Sequence, residues 1–122
     1  MSDLPSVSIV IPMHNEAQTV RSLITGIHYA AQDLPGFEIV AVDDGSTDNT
    51  MSELIAAREN FPQLRILQHA RAAGQSAAVH SGVAAARAPI CCTLDGDGQN
   101  PPEDLPKLWA LLQAADNPGI GL

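Results

Sequence analysis

Positive charge is what this sequence has least of. Six lysines and arginines stand against fourteen aspartates and glutamates, so the formal net charge is -8 and the pI about 4.6. That balance leaves no electrostatic footprint for a phosphate backbone and excludes nucleic acid as a partner. An anionic ligand such as a nucleotide diphosphate must instead be met locally, by a metal and by selected arginines. Aromatics are nearly as scarce, at 3%, which leaves the core to closely packed Ala, Val, Ile and Leu. There are two cysteines, Cys91 and Cys92, adjacent in the chain. On a strand, neighbours point to opposite faces, so a disulfide framework is excluded. The expectation is two small apolar residues in a reducing compartment.

Other absences narrow the chemistry further. No apolar run approaches the ~18 residues that span a bilayer, and no signal peptide precedes the first apolar stretch. The expected location is cytoplasmic. No Cys or His spacing resembles a zinc site. A phosphate-binding G-x-x-x-x-G-K-[ST] loop, a G-x-G-x-x-G turn after the first strand and a G-x-S-x-G elbow are all missing. His28, His69 and His80 are expected to be surface or packing residues.

What remains is a 122-residue chain, 45% hydrophobic, long enough to bury the core of one globular domain. Residues 7–11 form a short β-branched run bounded by Pro12, which predicts a buried strand. From Glu16 the period changes. Val20, Leu23, Ile24 and Ile27 fall on one helical face, and the turn at 33–36 ends that helix. Residues 37–42 predict a second strand, running into the polar stretch 43–49. Thr50 and Glu53 have the form of a capping box opening a second helix that carries Leu54 and Ile55 inward. A third strand is expected over 64–68, an alanine-rich helix from Gly74 to about 87, and a fourth strand over 90–94. Pro101 and Pro102, bracketed by Asn100 and Glu103, start a further helix with Leu105, Leu108, Trp109 and Leu112 inward. Residues 120–122 resemble the beginning of a fifth strand. Alternation of this kind implies an α/β fold with a mainly parallel sheet and helices on both faces. Ligands of such sheets bind beyond the carboxyl ends of the strands, where strand order reverses.

The polar clusters lie at that edge. Leu94-Asp95-Gly96-Asp97-Gly98-Gln99 brings two carboxylates, one glycine apart, off the end of a buried strand. Asp95 and Asp97, with Gln99 adding a neutral oxygen, could hold Mg2+ or Mn2+ while leaving positions for substrate phosphates. The alternative is a solvated acidic turn. An EF-hand is excluded, because its sixth-position glycine would be Asn100 and its twelfth-position glutamate Pro106. Asp43 or Asp44 could accept hydrogen bonds from ribose hydroxyls or base N–H groups; the plain alternative is a polar loop in which Asp48 or Thr50 caps a helix. Glu16 is placed to meet a ligand, whereas Asn15 could be only a helix cap. Arg71 and Gly74 could bring a cation and close backbone approach to a diphosphate.

These residues together resemble the amino-terminal part of a family 2 glycosyltransferase with the GT-A fold. Three ordered stretches carry the resemblance: Ser8-Ile9-Val10-Ile11-Pro12-Met13-His14-Asn15-Glu16, Val42-Asp43-Asp44-Gly45-Ser46-Thr47-Asp48, and Leu94-Asp95-Gly96-Asp97-Gly98-Gln99. Arg71, Gly74 and Gly82 also sit where members often carry such residues. The Gln99-Asn100-Pro101-Pro102-Glu103 extension is similar to dolichol-phosphate mannosyltransferases and bacterial polyprenyl-phosphate relatives, which move a sugar from a nucleotide sugar to a lipid phosphate.

The resemblance implies a Rossmann-like nucleotide-binding half of a GT-A fold. It implies nucleoside contacts from Pro12, His14, Glu16 and Asp44, and a metal on the diphosphate held by Asp95, Asp97 and Gln99. The implied donor is of UDP or GDP type and the implied acceptor a polyprenyl phosphate, with the full-length protein at the cytoplasmic face of a membrane. His14 stands where tyrosine is more usual. Family members continue past the fourth helix into an acceptor-binding part, so residues 1–122 correspond to the donor part and no catalytic base can be assigned. A fourth strand lacking its usual neighbour would favour self-association through a sheet edge. The rival readings are a non-catalytic nucleotide-sugar binding module, an inactive truncation product, and a phosphoacceptor signalling domain. The acidic pair of such a signalling domain normally follows the first strand, whereas here it follows the second.

Overall fold

The computed structural model describes residues 4–34 and 36–94. In chain order it forms β1 (Val7–Met13), α1 (Ala17–Ala30), a 3-10 turn (Ala31–Asp33), β2 (Phe37–Asp44), α2 (Thr50–Asn60), β3 (Leu64–His69), α3 (Gln75–Ala85) and β4 (Ile90–Thr93). The four strands make one sheet in the order β3-β2-β1-β4, and each neighbouring pair is parallel. Parallel neighbours require a crossover, and α1, α2 and α3 supply the crossovers. The chain steps outward from β1 to β3 and then returns to the far side of β1. Strand order therefore reverses between β1 and β4, where this class of sheet opens a crevice at its carboxyl edge.

Side-chain alternation divides the core between two faces. Ile9, Ile11, Met13, Ile39 and Ala41 meet α1 and α2 on one face. Val10, Val40, Val42 and Ala78 form a smaller cluster under α3 on the other. The helical periodicity of α1 is realised, with Val20, Leu23, Ile24 and Ile27 all buried. On α2 only half of the expected pair turns inward. Leu54 is fully buried, but Ile55 is 44% exposed, because successive residues of a helix lie about 100° apart. Under α3, a Cβ on Gly82 would come within 2.4 Å of Val10 Cγ1 and 3.2 Å of Val42 Cγ2. The glycine lets this alanine-rich helix lie directly on the valines.

Two strands run longer than their apolar runs. β1 continues through Pro12, which pairs with Val42. Pro12 shares its parity with Val10, whose carbonyl accepts the Leu94 N–H, so it faces the β4 side just beyond the end of that short strand. Having no N–H, it cannot continue the ladder with β4 beyond Val10 and Thr93. β2 continues through Asp43 and Asp44, which pair with Gln68 and His69 of β3. These two aspartates belong to a strand and not, as expected, to the loop after it. The helix expected from Pro101 and the strand at 120–122 lie outside the described residues.

At the opposite, amino-terminal edge a buried carboxylate holds the framework. Glu38, 1% exposed, accepts hydrogen bonds from Ser8 Oγ at 2.6 Å, Arg65 Nη1 at 3.0 Å, Arg87 Nε at 3.0 Å and the Arg87 backbone N–H at 2.7 Å. Arg65 also donates to Ala85 O, and Ser8 Oγ accepts the Ala88 N–H. One side chain thus ties β1, β2 and β3 to the segment between α3 and β4. Burial alone would raise the Glu38 pKa, but the Arg87 N–H, the Ser8 hydroxyl and the two guanidinium groups outweigh it and hold the value at about 2.

Candidate functional site

The segments that follow β1, β2 and β3 meet at the carboxyl edge and are tied to one another there. After β1, Asn15 takes a left-handed conformation with φ 54, which asparagine tolerates better than most residues. In this pose its Oδ1 accepts the Thr47 N–H at 2.8 Å and the Asp48 N–H at 3.3 Å, while its own N–H donates to Ser46 Oγ. The residue is therefore not a helix cap, and Glu16 occupies that position without a side-chain capping bond. Thr50 departs from expectation in the same way. It is the first residue of α2, preceded by an N-cap Asn49 that makes no side-chain capping bond. Its hydroxyl accepts the Glu16 N–H and donates to Asp48 Oδ1. The apparent capping box is a stitch between two loops. Asp48 binds the Thr50 N–H in the local manner of an aspartate before a helix, and its carboxyl pKa lies below the usual range, chiefly through the Thr50 hydroxyl.

His14 reaches across from β1 to β2. Its Nδ1 lies 2.7 Å from Asp44 O, and since a carbonyl can only accept, that nitrogen carries the proton. Nε2 is left as an acceptor for the Asn15 side-chain amide at 3.3 Å. Pro12 is buried in β1, while His14 is exposed and Glu16 half-buried at its end.

The two aspartates at the end of β2 point to opposite faces and have different surroundings. Asp43, on the face of Ile39 and Ala41, is fully buried. Its Oδ1 accepts the Ser46 N–H at 3.1 Å, and its Oδ2 has no hydrogen-bond partner among the described residues. Asp44, on the α3 face, is fully engaged. Its Oδ1 accepts from His69 Nδ1 at 2.7 Å and from the Ala73 N–H at 2.9 Å, and its Oδ2 accepts the Gly74 N–H at 2.9 Å. Burial would raise the Asp44 pKa, yet the His69 hydrogen bond and the two backbone donors lower it below the usual carboxylate range.

Through these bonds Asp44 fixes the segment 71–74, which passes over Gly45. A Cβ there would lie 2.2 Å from Ala72 N, and φ is +65, so only glycine permits the crossing. Arg71 is exposed on this segment. Gly74, at φ +104, precedes α3 as its N-cap. The structure thus brings Pro12, His14, Glu16, Asp43, Asp44, Arg71 and Gly74 to one edge.

Asp95, Asp97 and Gln99 lie outside the described residues. Leu94, whose N–H binds Val10 O, precedes Asp95 by one peptide bond. Among the described residues no group of three His, Cys, Asp or Glu side chains could hold a metal. Asp95, Asp97 and Gln99 would bring hard oxygen donors of the type that Mg2+ and Mn2+ accept to the same edge, directly after Leu94.

Three features of the site escaped sequence reasoning. His69 is neither a surface nor a packing residue, because its Nε2 lies 2.8 Å from Ser81 Oγ while Nδ1 serves Asp44. Asn15 and Thr50 tie loops together rather than cap helices. The strand register was the missing signal: Asp44 stands directly opposite His69, a pairing that no local pattern encodes. The expectation for His28 is met, since its ring packs against Phe61 and Phe37. The cysteines are free, Cys92 buried and Cys91 partly so.

Sugar transferases are among the known proteins that this chain is similar to. The chain is 44% identical over 107 residues to an undecaprenyl-phosphate 4-deoxy-4-formamido-L-arabinose transferase of Pseudomonas fluorescens, covering 85% of this chain and 31% of that protein. It is 38% identical over 110 residues to a dodecaprenyl-phosphate galacturonate synthase of Rhizobium johnstonii, covering 88% and 32%. The chain therefore spans about a third of the length of these relatives. Among solved structures, a mannosyltransferase from Pyrobaculum calidifontis in complex with GDP-Man and Mn2+ is 30% identical, with a TM-score of 0.72 over 83% of this chain and 30% of that one. S. aureus TarS in complex with UDP-GlcNAc is 25% identical, with a TM-score of 0.73 over 89% and 31%. The model of glycosyl transferase family 2 matches residues 8–120, almost the whole sequence, and the chain belongs to that family.

Proposed function

We propose that this chain is the donor-binding part of an inverting glycosyltransferase that moves a sugar from a UDP- or GDP-linked donor to a polyprenyl phosphate. The observation that carries the reading is the convergence of three strand ends, tied together by Asn15, Thr50 and Asp44, at the edge where strand order reverses. Pro12, His14, Glu16 and the two aspartates of β2 line the nucleoside side. The unpartnered Oδ2 of Asp43 is an acceptor for a ribose hydroxyl or a base N–H. Arg71, with the close backbone approach at Gly74, faces the diphosphate.

Asp95, Asp97 and Gln99 would hold Mg2+ or Mn2+, whose charge stabilises the departing nucleoside diphosphate. The residues of this chain bind and orient the donor, so that an oxygen of the lipid phosphate attacks the anomeric carbon from the face opposite the leaving group. The relatives named for undecaprenyl and dodecaprenyl phosphate support the acceptor class, and the complexes with GDP-Man and UDP-GlcNAc support the donor class. No helix among the described residues is long and apolar enough to cross a membrane.

Incubating the full-length protein with radiolabelled UDP- and GDP-sugars, Mn2+ and polyprenyl phosphate tests the function. Label passing into the lipid phase, and lost in Asp97→Ala, is the expected result. Donor binding without transfer would favour a non-catalytic nucleotide-sugar module instead.

A further inference from the structure

We propose that His69 is a positioning residue of the donor site: Ser81 fixes its ring, the ring fixes the Asp44 carboxylate, and that carboxylate holds segment 71–74 where the nucleotide binds. The proposal rests on the donor-site reading above. Strand register and parity bring the chain of groups together. Asp44 and His69 are paired across β2 and β3 and share the face that α3 covers, where Ser81 meets His69 Nε2 at 2.8 Å.

The segment depends on this support because little else holds it. Residues 71–74 are all exposed and lie outside helix and strand. Their described anchors are the Ala73 and Gly74 N–H bonds to Asp44, the Ala78 N–H donated to Gly74 O at the start of α3, and the close passage over Gly45. Each of those two N–H groups holds one carboxylate oxygen, and His69 adds a third donor on Oδ1. The His69 bond at 2.7 Å is the shortest of the three; like the others it is charge-assisted, hence roughly twice as strong as a neutral one, and it comes from a side chain that Ser81 holds in turn. The order Ser81–His69–Asp44 also occurs in acyl transfer, where an oxyanion must be bound as well. Here the Ser81 N–H lies within α3 and those of Ala73 and Gly74 are used by Asp44, so the arrangement serves positioning.

His69→Ala, His69→Asn and Ser81→Ala separate the roles, because Asn places an N–H donor where Nδ1 stands. The readouts are amide hydrogen exchange at Ala73 and Gly74 without nucleotide and calorimetric titration with UDP and GDP in Mn2+. Circular dichroism reports whether each variant folds. In His69→Ala, exchange at the two amides should quicken and the Kd weaken, each about tenfold, the scale of one lost charge-assisted bond. His69→Asn should recover most of both effects, and Ser81→Ala, in which the ring stays but loosens, should fall between. The proposal is overturned if His69→Ala keeps wild-type exchange, if exchange quickens while Kd is unchanged, or if His69→Asn is no better than His69→Ala. Wild-type protein that binds neither nucleotide would overturn the donor-site reading itself, an outcome visible before any variant is compared.

Discussion

Asp43 and Asp44 are chemically identical neighbours whose fates differ because a strand sends adjacent side chains to opposite faces. Asp44 is satisfied by three donors within the fold, whereas Asp43 keeps a buried oxygen without a partner among the described residues. Sequence alone could place both carboxylates at a ligand edge but could not distinguish them, since the difference arises from β3 and α3. Asp44→Asn should lose an acceptor for the Ala73 or Gly74 N–H and destabilise the fold by about 1–3 kcal/mol, the cost of an unsatisfied buried group. Urea unfolding measures it, and an unchanged midpoint would contradict the clasp. At Gly45 the constraint is steric. Gly45→Ala would set a methyl 2.2 Å from Ala72 N, so segment 71–74 must move. Nucleotide affinity should fall at least tenfold while the remaining sheet keeps its amide protection in hydrogen exchange.

The elements were largely legible because their signals are local. Apolar runs at 7–11, 37–42 and 90–94 and a weaker one at 64–68 marked the strands, and the period of Val20, Leu23, Ile24 and Ile27 marked α1. Sequence reasoning failed at the ends of elements, where tertiary pairing overrides local pattern. β2 extends two residues past its apolar run because Asp43 and Asp44 find partners on β3. Thr50 looked like a cap because its spacing to Glu53 fits one, yet its hydroxyl bonds across to Glu16. Helix α3 is poor in large side chains, so its position depends on close approach. Gly82→Ala should overpack Val10 and Val42 and destabilise by about 1–3 kcal/mol. A melting temperature equal to that of the wild type would show that α3 can lift without cost.

At the scale of the whole molecule the sheet separates two tasks. The carboxyl edge carries the residues of the proposed donor site, while the amino edge carries the Glu38 network that joins three strands. Glu38 was not legible as a hub, because its partners Ser8, Arg65 and Arg87 are far apart in sequence and none forms a motif with it. The folded state lowers its pKa from 4.5 to about 2. Its stabilisation is therefore complete above pH 4.5 and is lost as pH falls toward 2, by about 3 kcal/mol in order of magnitude. Unfolding free energies measured from pH 6 to pH 2 should fall more steeply for the wild type than for Glu38→Gln. Parallel curves would rule the network out as the cause. The fold brings the residues of the proposed donor site to one edge and ties its loops together, and the chain belongs to glycosyl transferase family 2. The most direct test is calorimetric titration with UDP and GDP, each with and without Mn2+, repeated with Asp97→Ala. One nucleotide should bind in a metal-dependent manner that the substitution abolishes; the absence of metal-dependent binding to either would contradict the donor-site account.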